Sequence, residues 1–378
     1  MEVFSVVSFI ACFLTILYVV VVLAFVRGWY RLSNFIPGLK EGRTAVSIIV
    51  AARNEENNIS KTLDDLLAQN YDKRLTEIIF IDDHSTDGTA EIIRSYSELG
   101  VKLIVLNEDK ALNSYKKKAI QTAIGQANGK LIITTDADCR MGPRWLQTIV
   151  SFYEEKQYKM ISSPVTFFEE KNFFEKAQSL EFLYLIGLGA STIGNKMPST
   201  CNGANLAYEK EAFYEVGGFK GIDDLASGDD ELLLHKIAAR FENNIGFLKN
   251  EDAIVFTHAK STLKEFIQQR KRWASKSTRY KNKSIIVLGV CIWAFNLTIL
   301  INIGAGLFIG FYLRLALVQL LAKMFIEFIF LQGITGFARK KKLLILLPVL
   351  NILHIIYIIY IGIAGNSGKY NWKDRMVK

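Results

Sequence analysis

Apolar positions follow three different rhythms along the chain. Phe4 to Val26 is an almost uniformly apolar run with no charge. It is long enough to cross a hydrocarbon core. It is too long for a signal-peptide core and lacks a small-residue cleavage site, so it reads as an uncleaved anchor helix. From residue 44 to about 260 short β-branched runs alternate with helical spacing. Strands are predicted at Ala45–Ala52, Ile78–Ile81, Lys102–Leu106 and Leu131–Thr135, and helices at Asn57–Gln69, Thr89–Leu99 and Ser114–Ala127. That order predicts an α/β domain on an open, mostly parallel sheet. In such sheets ligands sit outside the carboxyl ends of the strands.

The third rhythm returns to long apolar runs. Ser284 to Gly336 is broken only by Arg314, Lys323 and Glu327, and holds two spans or three short ones; Leu343 to Ala364 is a further span. Lys323 and Glu327, one helical turn apart, can pair with each other. Asn172 to Ile193, rich in Phe, Leu, Tyr and Gly, fits a helix lying in the membrane interface and equally a buried core helix. The expected layout is an anchor over 1–30, a soluble domain with interfacial helices over 44–283, transmembrane helices over 284–366 and a basic tail over 367–378.

Charge orients this layout. Arg27, Arg31, Lys40 and Arg43 follow the first apolar run and only Glu2 precedes it, which keeps the middle domain on the cytoplasmic face of the cell membrane. One conflict stands. Arg339-Lys340-Lys341-Lys342 and the tail (Lys369, Lys373, Arg375, Lys378) both favour the cytoplasm, and a single span between them cannot satisfy both. The net charge of +9 needs no nucleic acid, because no basic, aromatic-interleaved patch stands in the soluble region. Cys12, Cys139, Cys201 and Cys291 have no CxxC spacing, so neither a disulfide framework nor a zinc site is implied.

Chemistry concentrates where strands end. Asp136-Ala137-Asp138 closes an apolar strand, and residues two apart in an extended chain face the same side. Two carboxylates there repel each other unless a cation lies between them, and Mg²⁺ or Mn²⁺ with substrate phosphates suits such a pair. Asp82-Asp83 closes another strand before His84-Ser85-Thr86-Asp87-Gly88-Thr89. A carboxylate there can accept from a base N–H or a ribose hydroxyl, while Thr86 and Asp87 are ordinary helix caps. Asp229-Asp230 before an apolar helical stretch is either a dipole-matched helix start or, with adjacent acids raising each other's pKa, a base.

Taken in order, VAARNEENN (50–58), IDDHSTDGT (81–89), TTDADC (134–139), SGDDELL (227–233) and QRKRW (269–273) resemble family 2 glycosyltransferases, and among them the membrane-integrated branch with cellulose, chitin and hyaluronan synthases and ceramide glucosyltransferase. The resemblance covers about residues 44 to 283. It implies a GT-A domain, Rossmann-like, with transmembrane helices at both ends. The implied activity is an inverting transfer from a UDP- or GDP-sugar to a lipid-linked or glycan acceptor. Ala51, Arg53 and Glu55 match the nucleotide-contacting first strand, and Asp83 the carboxylate that reads the base. Asp136 and Asp138 match the metal-binding pair, Asp138 as the direct ligand. Asp230 matches the general base, though another alignment selects Asp229. Gln269, Arg272 and Trp273 match the QxxRW motif at the acceptor entrance and diphosphate.

The chain also departs from that pattern. Tyr115-Lys116-Lys117-Lys118 stands where relatives carry Gly-Lys, with Lys118 in reach of a phosphate. Ala207-Tyr208 follows Cys201-Asn202-Gly203-Ala204-Asn205 where many relatives carry Arg-Arg. His258 closes a short strand and either approaches the metal or is a lone packed histidine. A non-enzymatic scaffold is the alternative, but such a domain is expected to lose at least one of Asp83, Asp138, Asp230 and Arg272, and all four are present.

Overall fold

The computed structural model describes residues 2–38, 42–107, 114–365, 370–372 and 375–377. Lys40, Lys369, Lys373 and Lys378 of the basic flanks lie outside them. In chain order the elements are α1 (Glu2–Arg31), β1 (Val46–Ala52), α2 (Ile59–Leu67), β2 (Thr76–Asp82), α3 (Thr89–Ser95), β3 (Val101–Val105), α4 (Tyr115–Gln126), β4 (Leu131–Asp136), β5 (Arg140–Met141) and α5 (Trp145–Lys156). There follow β6 (Met160–Ser162), β7 (Val165–Phe167), α6 (Phe173–Gly194), β8 (Leu206–Glu209), α7 (Lys210–Glu215), α8 (Glu231–Arg240), β9 (Ile245–Phe247), β10 (Val255–Thr257) and α9 (Leu263–Ser275). The chain continues through α10 (Lys283–Gly306), α11 (Gly310–Phe337), α12 (Leu347–Ala364), β11 (Tyr370–Trp372) and β12 (Arg375–Val377).

These elements sort into two compact units. One comprises Leu32–Glu170, Thr192–Ala259 and the terminal Lys369–Lys378; the other comprises Met1–Arg31, Lys171–Ser191 and Lys260–Gly368. The first unit is built on a seven-stranded sheet of order β3-β2-β1-β4-β8-β6-β9. The four strands anticipated from the sequence are mutually parallel, β1 lying between β2 and β4. The sheet then departs from a purely parallel pattern, for β8 runs antiparallel to β4 and β6. Ile48, Ile49 and Val50 of the central strand are fully buried. Each contributes about 1.5–3 kcal/mol by leaving water. Register brings the functional ends level: Ala51 pairs with Ile81 and Asp136, and Ala52 with Asp82.

The second unit contains four helices long and apolar enough to cross a membrane: residues 6–31, 283–306, 310–337 and 341–364. The run from Ser284 to Gly336 thus forms two helices. α1 lies along α11, with Trp29 edge-on to Phe337 and Phe25 against Phe330. Polar side chains between helices meet one another. Gln319 Nε2 donates to Thr15 Oγ1 (3.1 Å) and Thr298 Oγ1 (3.2 Å), and accepts from Asn302 at Oε1 (2.7 Å). Lys323 pairs with Glu327 one turn on, at 2.5 Å, and Tyr18 donates to the same carboxylate. In hydrocarbon such groups have only each other.

α6 belongs to this unit up to Ser191 and is buried along most of its length. A Cβ on its Gly187 would stand 2.0 Å from Ile334 Cδ1 of α11. Gly187→Val is therefore expected to push the two helices apart and to cost the detergent-purified protein several degrees of thermal stability, read by its unfolding midpoint. An unchanged midpoint would contradict this packing.

Candidate functional site

Two loops at the carboxyl ends of β1 and β2 are stitched together. Arg53 Nη1 donates to the carbonyls of Asp83 (2.8 Å) and His84 (2.7 Å). Asn54 N donates to Ser85 Oγ (3.0 Å), Glu55 N to Thr89 Oγ1 (2.7 Å) and Gly88 N to Glu56 Oε2 (2.8 Å). Asn54 and His84 adopt left-handed conformations at φ 51° and 56°, which turn the chain sharply off each strand. Arg53 and Glu55 thus act on the loop carrying Asp83, which is itself buried beside His84 Nδ1 at 3.0 Å. Asp82 is buried too; one of its oxygens accepts from Ser85 N (3.3 Å), while Oδ1 is buried with no hydrogen-bond partner among the described residues. Gly88 is the N-cap of α3, and Asp87 before it accepts from Thr89 N (3.1 Å) and Thr89 Oγ1 (2.6 Å). Burial works against its charge, but these bonds and Glu56 N hold its carboxyl below the usual range.

At the mouth of β4, Asp136, Asp138 and Cys139 each present a ligand atom within 4.8 Å of the others. The turn is fixed from beneath by Thr62 of α2, whose buried hydroxyl is placed 2.9 Å from the carbonyls of both Ala137 and Cys139. Arg140, paired with Asp65 at 2.6 Å, anchors the chain beyond it. Thr62→Val leaves those carbonyls without their buried donor and is expected to cost about 1–3 kcal/mol, measurable as a lowered denaturation midpoint; full stability would show the turn is held otherwise. The donor set suits a hard divalent cation on the two carboxylates. Cys139 fits it poorly: its thiol is buried and burial pushes its pKa well up, with Asp138 and Asp136 adding to the effect.

A lysine bridges this turn to the acidic pair before α8. Lys116 Nζ lies 2.7 Å from Asp136 Oδ1 and 3.3 Å from Asp229 Oδ2. Burial opposes its charge, but Asp136, Asp229 and then Asp230 outweigh that and hold it protonated well above the usual lysine range. Asp230 caps α8, accepting from Glu231 N (2.6 Å), and its other oxygen accepts from Gly203 N (3.1 Å). Gly203 in turn gives its carbonyl to Thr134 Oγ1 of β4 (3.0 Å). The 201–205 segment therefore ties the acidic pair to the metal-competent strand, and Asn205 donates from the core to the carbonyls of Pro164 and Ala253.

The structure thus gathers Ala51, Asp83, Asp136, Asp138, Asp229 and Asp230 at one end of the sheet's parallel strands or on the loops that leave it. Lys118 is exposed on α4, and Lys116 meets the carboxylates of Asp136 and Asp229. Residues two apart on a helix point to nearly opposite faces, so a run of three lysines gives each a different neighbourhood. The buried Lys117 donates to the carbonyls of Ile222 (2.7 Å), Leu225 (2.5 Å) and Ser227 (2.6 Å), fixing the loop that leads to Asp229. His258 stacks on Phe168, 4.3 Å between ring centroids, and is not part of the Asp136–Asp138 cluster.

Gln269, Arg272 and Trp273 lie on α9, in the membrane unit. There Arg270 forms a buried ion pair with Glu181 of α6, donates to Gln269 Oε1 (2.6 Å) and lies 4.3 Å from the Trp273 ring. Thr262 and Glu265 form a capping box that starts this helix.

The sequence matches Glycosyl transferase family 2 over residues 47–217, the stretch that holds β1 to β4, the Asp136–Asp138 turn and the 201–205 segment. Over that stretch the chain is similar to family 2 glycosyltransferases. Glycosyltransferase AglE of Haloferax volcanii is 34% identical over 122 residues, which is 32% of this chain and 40% of that protein. The poly-β-1,6-N-acetyl-D-glucosamine synthase of Staphylococcus aureus is 27% identical over 237 residues, 61% of this chain and 53% of the synthase. The chain thus matches about half or less of the length of these curated relatives. Among solved structures, mannosyltransferase PcManGT from Pyrobaculum calidifontis, in complex with GDP-Man and Mn²⁺, superposes with a TM-score of 0.58 at 19% identity, covering 93% of this chain and 99% of that one. That likeness shows the GT-A fold.

Proposed function

We propose that the protein is an inverting glycosyltransferase of the cell membrane, moving a sugar from a UDP- or GDP-sugar to a lipid-linked or glycan acceptor at the cytoplasmic face. The observation that carries this reading is the lysine-bridged set of Asp136 and Asp229, with Asp138 and Asp230 beside it, at the carboxyl ends of parallel strands. The relatives' names and the GDP-Man and Mn²⁺ of PcManGT point the same way.

Asp83 accepts from the nucleotide base, on the loop braced by Arg53. Asp138 with Asp136 would hold Mg²⁺ or Mn²⁺, which would supply charge neutralisation to a diphosphate leaving group. Lys116 supplies positive charge to the same leaving group. Asp230, fixed by two backbone N–H groups, takes the proton from the acceptor hydroxyl as that oxygen attacks the anomeric carbon from the face opposite the departing diphosphate. Asp229, paired with Lys116, orients the lysine. On the motif alone, Gln269, Arg272 and Trp273 serve the acceptor and the diphosphate.

The decisive experiment is a panel of UDP- and GDP-sugars offered to the detergent-purified chain with Mn²⁺, scored for nucleotide release. One or two donors are expected to turn over well above the rest. No release from any donor, with and without membrane lipid, would overturn the proposal.

A further inference from the structure

Contacts inside the membrane unit give the direction of each long helix. α1 and α11 run parallel: Gln319 meets Thr15, Phe330 meets Phe25 and Phe337 meets Trp29. α10 runs against both, with Asn302 bonded to Gln319 and Phe295 stacked on Tyr18 at 4.3 Å. Arg31, Lys283 and Phe337 therefore mark one side of the bundle, here the near side, and Gly306 and Gly310 the far side. α6 sits at the near-side end of α11, Leu180 by Leu331 and Gly187 by Ile334. α9 is fastened to α6 by the Arg270–Glu181 pair and by Trp273 against Phe182.

α12 also begins at the near side, where Leu347 packs with Leu180 and Leu331. Eighteen residues of helix reach about 27 Å, enough to arrive beside Gly306 and Gly310. The helix does not go there. Tyr357 packs on Phe266, Tyr360 lies 5.3 Å from Lys271 Nζ, and a Cβ on Gly365 would stand 2.5 Å from that of Ala274. These are three successive contacts with α9 in the same order, so the C-terminal half of α12 runs alongside α9. Ile359 O accepts from Trp293 Nε1 at 3.3 Å, in the near half of α10, and Gly362 lies against the same indole.

The outward face of α12 is a single stripe, Val349, Ile352, Leu353, Ile356, Tyr360 and Ile363, each at least 47% exposed. Charge gives the stripe its partner. Basic runs stand on both sides of this helix, and a crossing would place one of them on the unfavoured face. We infer that α12 does not cross the bilayer: it lies in the near-side leaflet beside α9, its stripe facing the acyl chains of that leaflet, and leaves the C-terminus on the near side. The chain then crosses three times, through α1, α10 and α11, and both basic runs stay on one face.

Impermeant-maleimide labelling of intact cells tests this independently of any transferase activity. Cysteines are introduced one at a time as Phe308→Cys, in the turn between α10 and α11, and Lys378→Cys, with the unmodified chain as baseline. Phe308→Cys is expected to label from outside and Lys378→Cys only after permeabilisation; labelling of both from the same side would overturn the inference. If either variant accumulates poorly, spin labels at Ile352→Cys and Ile363→Cys give a second measure by collision with lipid-soluble oxygen. Similar depths are expected, whereas a crossing helix would separate them by about 16 Å.

Discussion

Asp230→Asn is expected to abolish sugar transfer while leaving donor binding intact. The amide keeps the shape and one acceptor oxygen, so it still accepts from a backbone N–H at the start of α8, from Glu231 or Gly203. It cannot take a proton from the acceptor. General-base catalysis contributes about 10²–10⁴-fold, so kcat should fall by that factor with the nucleotide-sugar Kd little changed. Asp229→Asn is the control. It loosens Lys116 from its second carboxylate, and should weaken donor affinity more than it slows turnover. Measuring kcat and donor Kd for both variants separates the roles; substantial turnover by Asp230→Asn, with the loss falling on Asp229→Asn, would move the base to Asp229.

Asp138→Ala should remove the dependence of donor binding on Mn²⁺. A divalent cation at a transferring phosphate supplies several kcal/mol of charge stabilisation, so kcat/KM should fall by roughly a thousandfold. Calorimetric titration of the nucleoside diphosphate with and without Mn²⁺ reads this directly, and identical affinities for wild type and variant in both conditions would remove Asp138 from the site. The Lys116–Asp136 pair persists in this variant, so residual metal-independent binding is expected.

Much of this site could be read from the sequence because its positions are also strand ends. The apolar runs ending in Asp82-Asp83 and Asp136-Ala137-Asp138 predict β2 and β4 and place their acids at the sheet's carboxyl edge, where they stand. What escaped the sequence depends on side chains meeting across long separations. Lys116 was indistinguishable from its two neighbours until α4 gave each its own face. Thr62 shows no signal at all, being one threonine on an ordinary amphipathic helix, yet it holds the Asp136–Asp138 turn. Antiparallel β8 was hidden because Leu206–Glu209 is too short for a periodicity to declare itself. The conflict between the two basic runs was plain in the sequence, and only the contacts of α12 offer a way out of it.

The partnership of α1 with α11 also bears on how the protein is made. Tyr18 and Glu327 stand 309 positions apart. A ribosome therefore delivers the first helix to the lipid long before its mate exists, and Tyr18 must wait there without the carboxylate that finally accepts from it. The late helix arrives with Lys323 and Glu327 already able to neutralise each other within one turn. Assembly of the bilayer portion is thus a closing event, completed after the soluble domain has been synthesised and had time to fold.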